Sequence, residues 1–242
     1  MNAFIEASIE ANRQLKIAID SGFKREWSDK TTQGAGGDRS SKLDLFAEKI
    51  FTDALLSFGM IDSEESGLIG QGDARIILDP LDGTSNALSS FPYYASSIAR
   101  INEEGILEEA IVCNLATGEL FFKEAGKRRY SGFLGSNEWQ ESSEVNFSEI
   151  GIFEKAYEHP KESILLHQAS FRFRSPGAIA LSLAYAYRVD FVLFIGAFRL
   201  YDFAAGLALC EGLEVCVEED YVIVSREKKR VQEIVALLSL ER

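Results

Sequence analysis

The amino-acid sequence predicts an α+β fold, in which helices precede strands in the first half and strands alternate with helices in the second. Two observations carry this prediction. Apolar residues recur at helical spacing near the N-terminus, and short apolar runs bounded by turn residues follow them. A polar stretch at 135–150 separates the two patterns. We therefore predict two halves of a single unit, at residues 1–145 and 146–242.

The first half is predicted to contain two helices followed by strands. Apolar residues recur with a helical period over 2–20 and again over 43–58. In the second helix, Asp44 and Glu48 are four residues apart, so both side chains face the same way. The segment 29–41 has three glycines and no apolar period, which predicts a loop. Strands are predicted at 59–62, 74–79, 93–101, 106–113 and 119–123.

The second half is predicted to alternate strands and helices. Its helices are expected at 177–187, 202–213 and 226–240. Its strands are expected at 152–157, 164–167 and 189–195, with two short strands within 214–224.

Composition and charge exclude several classes of protein. The net charge of −13 leaves no basic surplus to neutralise phosphates, so a general nucleic-acid binder is excluded. No run of about 18 apolar residues occurs, so no membrane-spanning helix is expected. The N-terminus lacks the basic start and apolar core of a signal peptide, and the three cysteines have no metal-binding spacing. We therefore expect reduced thiols and a cytoplasmic location.

The most informative segment is 79–86, Asp-Pro-Leu-Asp-Gly-Thr-Ser-Asn, which directly follows the apolar run 75–78. A strand ending here aims Asp79 and Asp82 at one place, and we expect Pro80 to help end the strand between them. Gly83 allows close approach of the backbone to a ligand. The hydroxyls of Thr84 and Ser85 are suited to capping a helical turn, whose free amides attract anions. The segment therefore predicts a site for magnesium and phosphate.

Other acidic residues fit the same site, although each has a simpler reading. Glu64 and Glu65 alone are typical of a solvated turn, and Asp202 alone is typical of a helix N-cap. Two carboxylates about 4 Å apart repel by roughly 4 kcal/mol at an effective dielectric constant of 20. A fold that gathers these acids needs protonation or a cation. Because no histidine or cysteine lies within these segments, the donor set favours Mg²⁺ or Mn²⁺ over zinc.

Together these segments resemble the motifs of the inositol monophosphatase superfamily of magnesium-dependent phosphatases, over essentially the whole chain. The similar segments are Ser-Glu-Glu-Ser at 63–66, Asp-Pro-Leu-Asp-Gly-Thr at 79–84 and Asp-Phe-Ala-Ala-Gly at 202–206. The resemblance implies an αβαβα layered sandwich of the inositol monophosphatase and sugar phosphatase type. Its first half would carry most metal ligands, and its second half would supply Asp202 and substrate contacts. It also implies a homodimer.

The resemblance implies a role for each matching residue. Asp44 and Thr84 would orient the attacking water, and Glu65 would support a nearby ligand or water. Two or three Mg²⁺ ions would be held by Glu64, Asp79, the Leu81 carbonyl, Asp82 and Asp202, with Asp38 at a weaker site or simply solvated. Substrate contacts would come from Gly83, Thr84, Ser85, Arg174, Gly177, Ala178 and Arg199, although a purely structural role for Arg174 stays open.

The implied function is hydrolysis of a small phosphorylated metabolite by direct attack of water. The segment 37–48 is similar to the archaeal-type branch, which acts on inositol monophosphate and fructose 1,6-bisphosphate. Ile195 stands where animal members have an inositol-binding glutamate, and Tyr201 replaces the usual tryptophan, so strict inositol specificity is not expected. Two alternatives remain: a 3′-phosphoadenosine 5′-phosphate phosphatase, or a family scaffold with a protein-binding regulatory role.

Overall fold

The computed structural model of the chain describes residues 1–22, 24–37, 39–136, 138–141 and 148–240. The predicted boundary between residues 145 and 146 lies outside the described residues. Within the described part of the chain, no helix has the length and apolar character needed to cross a bilayer. The α-helices are α1 (Ala3–Asp20), α2 (Lys42–Leu55), α3 (Thr84–Leu88), α4 (Pro160–Gln168), α5 (Ile179–Ala184), α6 (Leu200–Ala208) and α7 (Lys228–Leu238).

The strands form two larger sheets and one small hairpin. They are β1 (Lys30–Gln33), β2 (Arg39–Ser41), β3 (Met60–Ser63), β4 (Gly67–Ile69), β5 (Arg75–Asp82), β6 (Ala95–Ile101), β7 (Leu107–Asn114), β8 (Glu119–Lys123), β9 (Arg129–Phe133), β10 (Trp139–Glu141), β11 (Ile150–Glu154), β12 (Arg172–Arg174), β13 (Phe191–Ile195), β14 (Glu214–Val217) and β15 (Tyr221–Ser225). The eight-stranded sheet has the order β10-β9-β8-β7-β6-β5-β3-β4, and the five-stranded sheet has the order β12-β11-β13-β15-β14. Strands β1 and β2 pair separately as an antiparallel hairpin.

The helices and sheets stack in five layers. Helices α1 and α2 cover one face of the eight-stranded sheet, where Leu15 and Phe51 are fully buried. Helices α5 and α6 lie between the sheets: Leu181 packs towards the eight-stranded sheet, and Phe203 packs towards the five-stranded sheet. Helices α4 and α7 cover the outer face of the second sheet, with Ile234 in its core. The predicted αβαβα sandwich is confirmed.

Helix boundaries follow from local chemistry. Helix α2 begins with a capping box, in which Ser41 accepts from the Asp44 amide and Asp44 accepts from the Ser41 amide. It continues into a 3₁₀ turn at Leu56–Phe58, so the helical segment ends where the apolar period does. The capping box has a functional consequence, because it holds the Asp44 side chain at the first turn.

Three local predictions are wrong. The segment 164–167 is part of helix α4, not a strand, because Pro160 starts a helix there and a short apolar run fits either structure. The predicted loop at 29–41 contains the β1–β2 hairpin. Pro80 does not end its strand. Strand β5 continues to Asp82, and an irregularity between Asp79 and Asp82 accommodates the proline, which has no amide hydrogen.

Candidate active site

A cavity of about 690 Å³ opens where the two halves of the chain meet. Its walls come from the end of β5, the start of α2, the turn after β3, the end of β11 and the first turn of α6. Strands β3 and β5 run parallel, so the turn holding Glu64 and the end of β5 lie at the same edge of the sheet. The fold therefore brings acids that are far apart in sequence into one cavity.

Three of the predicted metal ligands form a tight group. Carboxylate oxygens of Glu64, Asp79 and Asp202 all lie within 4.8 Å of one another. Asp79 and Asp202 are buried, and Glu64 is mostly buried. Burial, followed by the charge of Glu64, raises the pKa of Asp79 well above its ordinary value. Three carboxylates this close repel one another, so their charges need a compensating cation. Because all the ligand atoms are oxygens, the set fits a hard divalent cation such as Mg²⁺ or Mn²⁺.

The acid group already contacts one cation, the guanidinium of Arg199. Its Nε donates to Asp202 Oδ2 at 2.7 Å and its Nη2 donates to Asp202 Oδ1 at 3.1 Å. Its Nη1 donates to Glu64 Oε1 at 2.8 Å. Arg199 thus bridges two of the three grouped carboxylates, whereas the sequence predicts it as a substrate contact.

Asp82 lies beside the group but faces another element. Its carboxylate accepts hydrogen bonds from the amides of Ile179, Ala180 and Leu181, at 3.2, 2.8 and 3.4 Å. These amides begin helix α5, so Asp82 ties the end of β5 to the second half of the chain. Burial, followed by the charge of Asp202, raises the pKa of Asp82 well above its ordinary value.

Asp44 and Thr84 form the predicted pair. Thr84 Oγ1 lies 2.9 Å from Asp44 Oδ1 and 3.2 Å from the Leu81 carbonyl oxygen, and it donates to one of them at a time. Asp44 is buried, and this burial raises its pKa. Both residues line the cavity, so a hydroxyl and a proton-accepting carboxylate face the same space as the grouped acids.

The β1–β2 hairpin supports the two glutamates. The amides of Ala35 and Gly36 donate to the carbonyls of Glu65 and Glu64, at 3.0 and 2.7 Å. A Cβ atom on Gly36 would lie only 2.4 Å from Glu64 Cγ. The Glu64 side chain can therefore occupy its observed position only because residue 36 has no side chain. Burial, partly offset by a hydrogen bond with Ser40, raises the pKa of Glu65 to about 7.

The predicted phosphate segment packs against the second half of the chain. Gly83 has a φ of +85°, which favours glycine, and a Cβ there would lie 3.1 Å from the Gly177 carbonyl. Asn86 Nδ2 donates to the Pro176 carbonyl at 2.8 Å. The carboxylate of Glu154 accepts from the Gly177 amide at 2.9 Å and from the Ser182 hydroxyl. Buried Glu154 therefore holds the 175–178 turn against the segment.

The remaining predicted residues are divided between the cavity and its surroundings. Ser85, Gly177 and Leu81 line the cavity, whereas Ala178 is buried behind Gly83. Arg174 is exposed and lines a neighbouring apolar cavity. Ile195 packs in the outer core of the second sheet, away from the cavity. The predicted metal ligand Asp38 lies outside the described residues.

The cavity also has lining residues that sequence reasoning did not predict as site residues, and four of them are Gly36, Glu154, Lys155 and Tyr157. Tyr157 is 75% exposed at the cavity wall, and Lys155 Nζ lies 5.7 Å from the centre of the Phe194 ring. An acid ending a buried strand, as Glu154 does in β11, is the same signal that identified Asp79. The other three have no distinctive local pattern.

Comparison with known proteins agrees with this architecture. The inositol monophosphatase family profile matches residues 1–218, and the chain belongs to that family. The bifunctional NADP phosphatase/NAD kinase of Methanococcus maripaludis is 31% identical over 203 residues, covering 73% of this chain but only 36% of that protein. The chain thus spans about a third of that relative's length. The Nus factor SuhB of Vibrio cholerae is 30% identical over 222 residues, covering 85% of this chain and 79% of that protein.

Solved structures share the fold over almost the full length. The MJ0109 gene product, described as an inositol monophosphatase-fructose 1,6 bisphosphatase, superimposes with a TM-score of 0.81. The alignment covers 98% of this chain and 100% of that one, at 20% sequence identity. At this identity the likeness concerns the fold alone.

Proposed function

We propose that this member of the inositol monophosphatase family is a Mg²⁺-dependent phosphomonoesterase acting on a small phosphorylated metabolite. One observation carries the proposal: Glu64, Asp79 and Asp202 converge within 4.8 Å, in the same cavity as the Asp44–Thr84 pair. Inositol monophosphate and sugar phosphates such as fructose 1,6-bisphosphate are the first substrates to test.

Glu64, Asp79 and Asp202 would hold the first ion, with the Leu81 carbonyl and Asp82 as further ligands. Mg²⁺ supplies Lewis acidity that neutralises the charge of a transferring phosphoryl group. The chain's own residues orient the nucleophile. When Thr84 donates to Asp44, its hydroxyl oxygen keeps a lone pair that accepts a hydrogen bond from the attacking water. Asp44, whose pKa is raised, then takes up the proton through Thr84.

A nucleotide phosphate is the second candidate substrate, and a specific observation favours it. The exposed Tyr157 ring offers a stacking surface at the cavity wall. Ser175 and Pro176 also line a second, mainly apolar cavity of about 410 Å³ that includes Tyr93 and Tyr185. A base or sugar has apolar surface to contact there, and the similarity to an NADP phosphatase points to the same class.

A panel of phosphomonoesters tests the proposal. Phosphate release with Mg²⁺ would be measured for inositol 1-phosphate, fructose 1,6-bisphosphate, 3′-phosphoadenosine 5′-phosphate, NADP and histidinol phosphate. We expect hydrolysis of at least one, lost in Asp79→Asn with the fold retained by circular dichroism. Hydrolysis of none, or near-normal activity of Asp79→Asn, would overturn the proposal.

A further inference from the structure

Arg199 holds an unusual position for a residue predicted to contact substrate. Its guanidinium makes three hydrogen bonds, of 2.7 to 3.1 Å, to the carboxylates of Asp202 and Glu64. Both carboxylates belong to the group whose oxygens lie within 4.8 Å of one another. The Arg199 side chain is 32% exposed, against 13% for Glu64 and 4% for Asp202, so it is the most solvent-exposed of the three.

A guanidinium and a divalent ion compete for the same lone pairs. Asp202 receives two parallel N–H donors from Arg199, which occupy one of the two lone pairs on each of its carboxylate oxygens. The two cations would also repel each other strongly across such a short distance. Binding of an ion to Asp202 and Glu64 therefore competes with these hydrogen bonds.

We propose that Arg199 is a resident counter-cation of the acid group, which a divalent ion displaces on binding. The guanidinium stabilises the carboxylates before the ion arrives and lowers the affinity for the ion by competing with it. Displacement frees the guanidinium at the cavity wall, where the predicted contact with an anionic substrate becomes available. Metal binding thus precedes and permits substrate contact by Arg199. The inference rests on the proposed metal site, and it assigns a property that the family motifs do not contain.

The chain offers a matched control in Arg39. This arginine lines the same cavity, and its guanidinium donates to the Thr31 carbonyl at 3.2 and 3.3 Å. Arg39→Gln and Arg199→Gln remove the same charge from the same cavity, but only Arg199→Gln removes a partner of the grouped acids. A general electrostatic effect would raise metal affinity in both variants.

Metal binding, without any substrate, is the test. Mn²⁺ would be titrated into metal-free wild type, Arg199→Gln and Arg39→Gln, and free Mn²⁺ counted by electron paramagnetic resonance. We expect Arg199→Gln to bind its tightest ion at least tenfold more tightly than wild type, and Arg39→Gln to stay within about threefold of wild type. Metal-free Arg199→Gln should also melt at a lower temperature than wild type. Added Mg²⁺ should raise the melting temperature of Arg199→Gln by more than it raises that of wild type.

The other outcomes separate the two proposals. Unchanged or weaker binding in Arg199→Gln, with wild type binding Mn²⁺, would overturn the displacement and leave the proposed function intact. An additional ion in Arg199→Gln, with the wild-type affinities unchanged, would mean that the guanidinium permanently replaces an ion, and this too overturns displacement. No binding by wild type would overturn the metal site itself. If Arg199→Gln does not fold, Arg199→Lys keeps one charge but cannot bridge both acids, and it should still bind more tightly than wild type.

Discussion

Replacing Asp79 with asparagine is expected to stabilise the metal-free protein while abolishing metal binding at the acid group. The side chain is buried, and its Oδ1 accepts a hydrogen bond of 2.9 Å from the Leu81 amide. Asparagine has nearly the same shape and keeps this acceptor. The substitution therefore removes a charge without removing the hydrogen bond that shapes the end of β5.

The size of the effect follows from the distances in the group. Carboxylate oxygens of Glu64 and Asp202 lie within 4.8 Å of those of Asp79, and one such pair repels by about 3.5 kcal/mol at an effective dielectric constant of 20. The positive charge of Arg199 offsets the repulsion from about one of these two carboxylates. Because one neighbouring charge is then left uncompensated and partly screened, the net gain is expected to be about 1–3 kcal/mol, a shift in melting temperature of about 3 to 10 °C.

The assay is thermal and urea-induced unfolding at pH 8, with EDTA and then with Mg²⁺. Asp79→Asn should melt above wild type in EDTA, and Mg²⁺ should stabilise wild type but not the variant. Asp190→Asn is the matched control. Asp190 is also buried, but its carboxylate is paired with Arg230 at 2.9 Å, so losing its charge should lower stability. If Asp79→Asn lowers the melting temperature in EDTA as Asp190→Asn does, the repulsion argument is refuted.

Three further predictions concern other parts of the chain. Gly36→Ala should weaken Mn²⁺ binding at least several-fold by displacing Glu64, whereas Gly135→Ala, where a Cβ meets no atom within 4 Å, should leave titrations unchanged; equal affinities would contradict the packing argument. Tyr201→Phe should cost about 1 kcal/mol in urea unfolding, because its hydroxyl donates to buried Asp62 at 2.9 Å; an unchanged midpoint would refute this. In the folded protein at pH 8 a disulfide reagent should modify one thiol, that of half-buried Cys216, and two more only on unfolding. The other two cysteines are fully buried, and burial raises the pKa of Cys210 to about 12, so rapid reaction of all three would contradict the structure.

Helices α1 and α2 were predictable because their apolar residues repeat at helical spacing over 18 and 14 residues. Strands β5 to β8 were predictable because their apolar runs are bounded by turn residues. The error at 164–167 has the opposite cause, since a short apolar run fits a helix or a strand and neighbouring elements decide between them. Strand β5 likewise continues past Pro80, because its pairing with β6 shifts in register between Asp79 and Asp82. No local sequence pattern predicts that shift.

The candidate site divides in the same way. The sequence alone determined which acids exist, that several follow buried strands or begin helices, and that no histidine or cysteine accompanies them. Only the tertiary structure decided their partners, because those partners are distant in the chain. Asp82 meets amides 97 to 99 residues away, and Arg199 reaches Glu64 across 135 residues. Contacts over such separations depend on how the two sheets pack around α5 and α6, and local patterns carry no information about that packing.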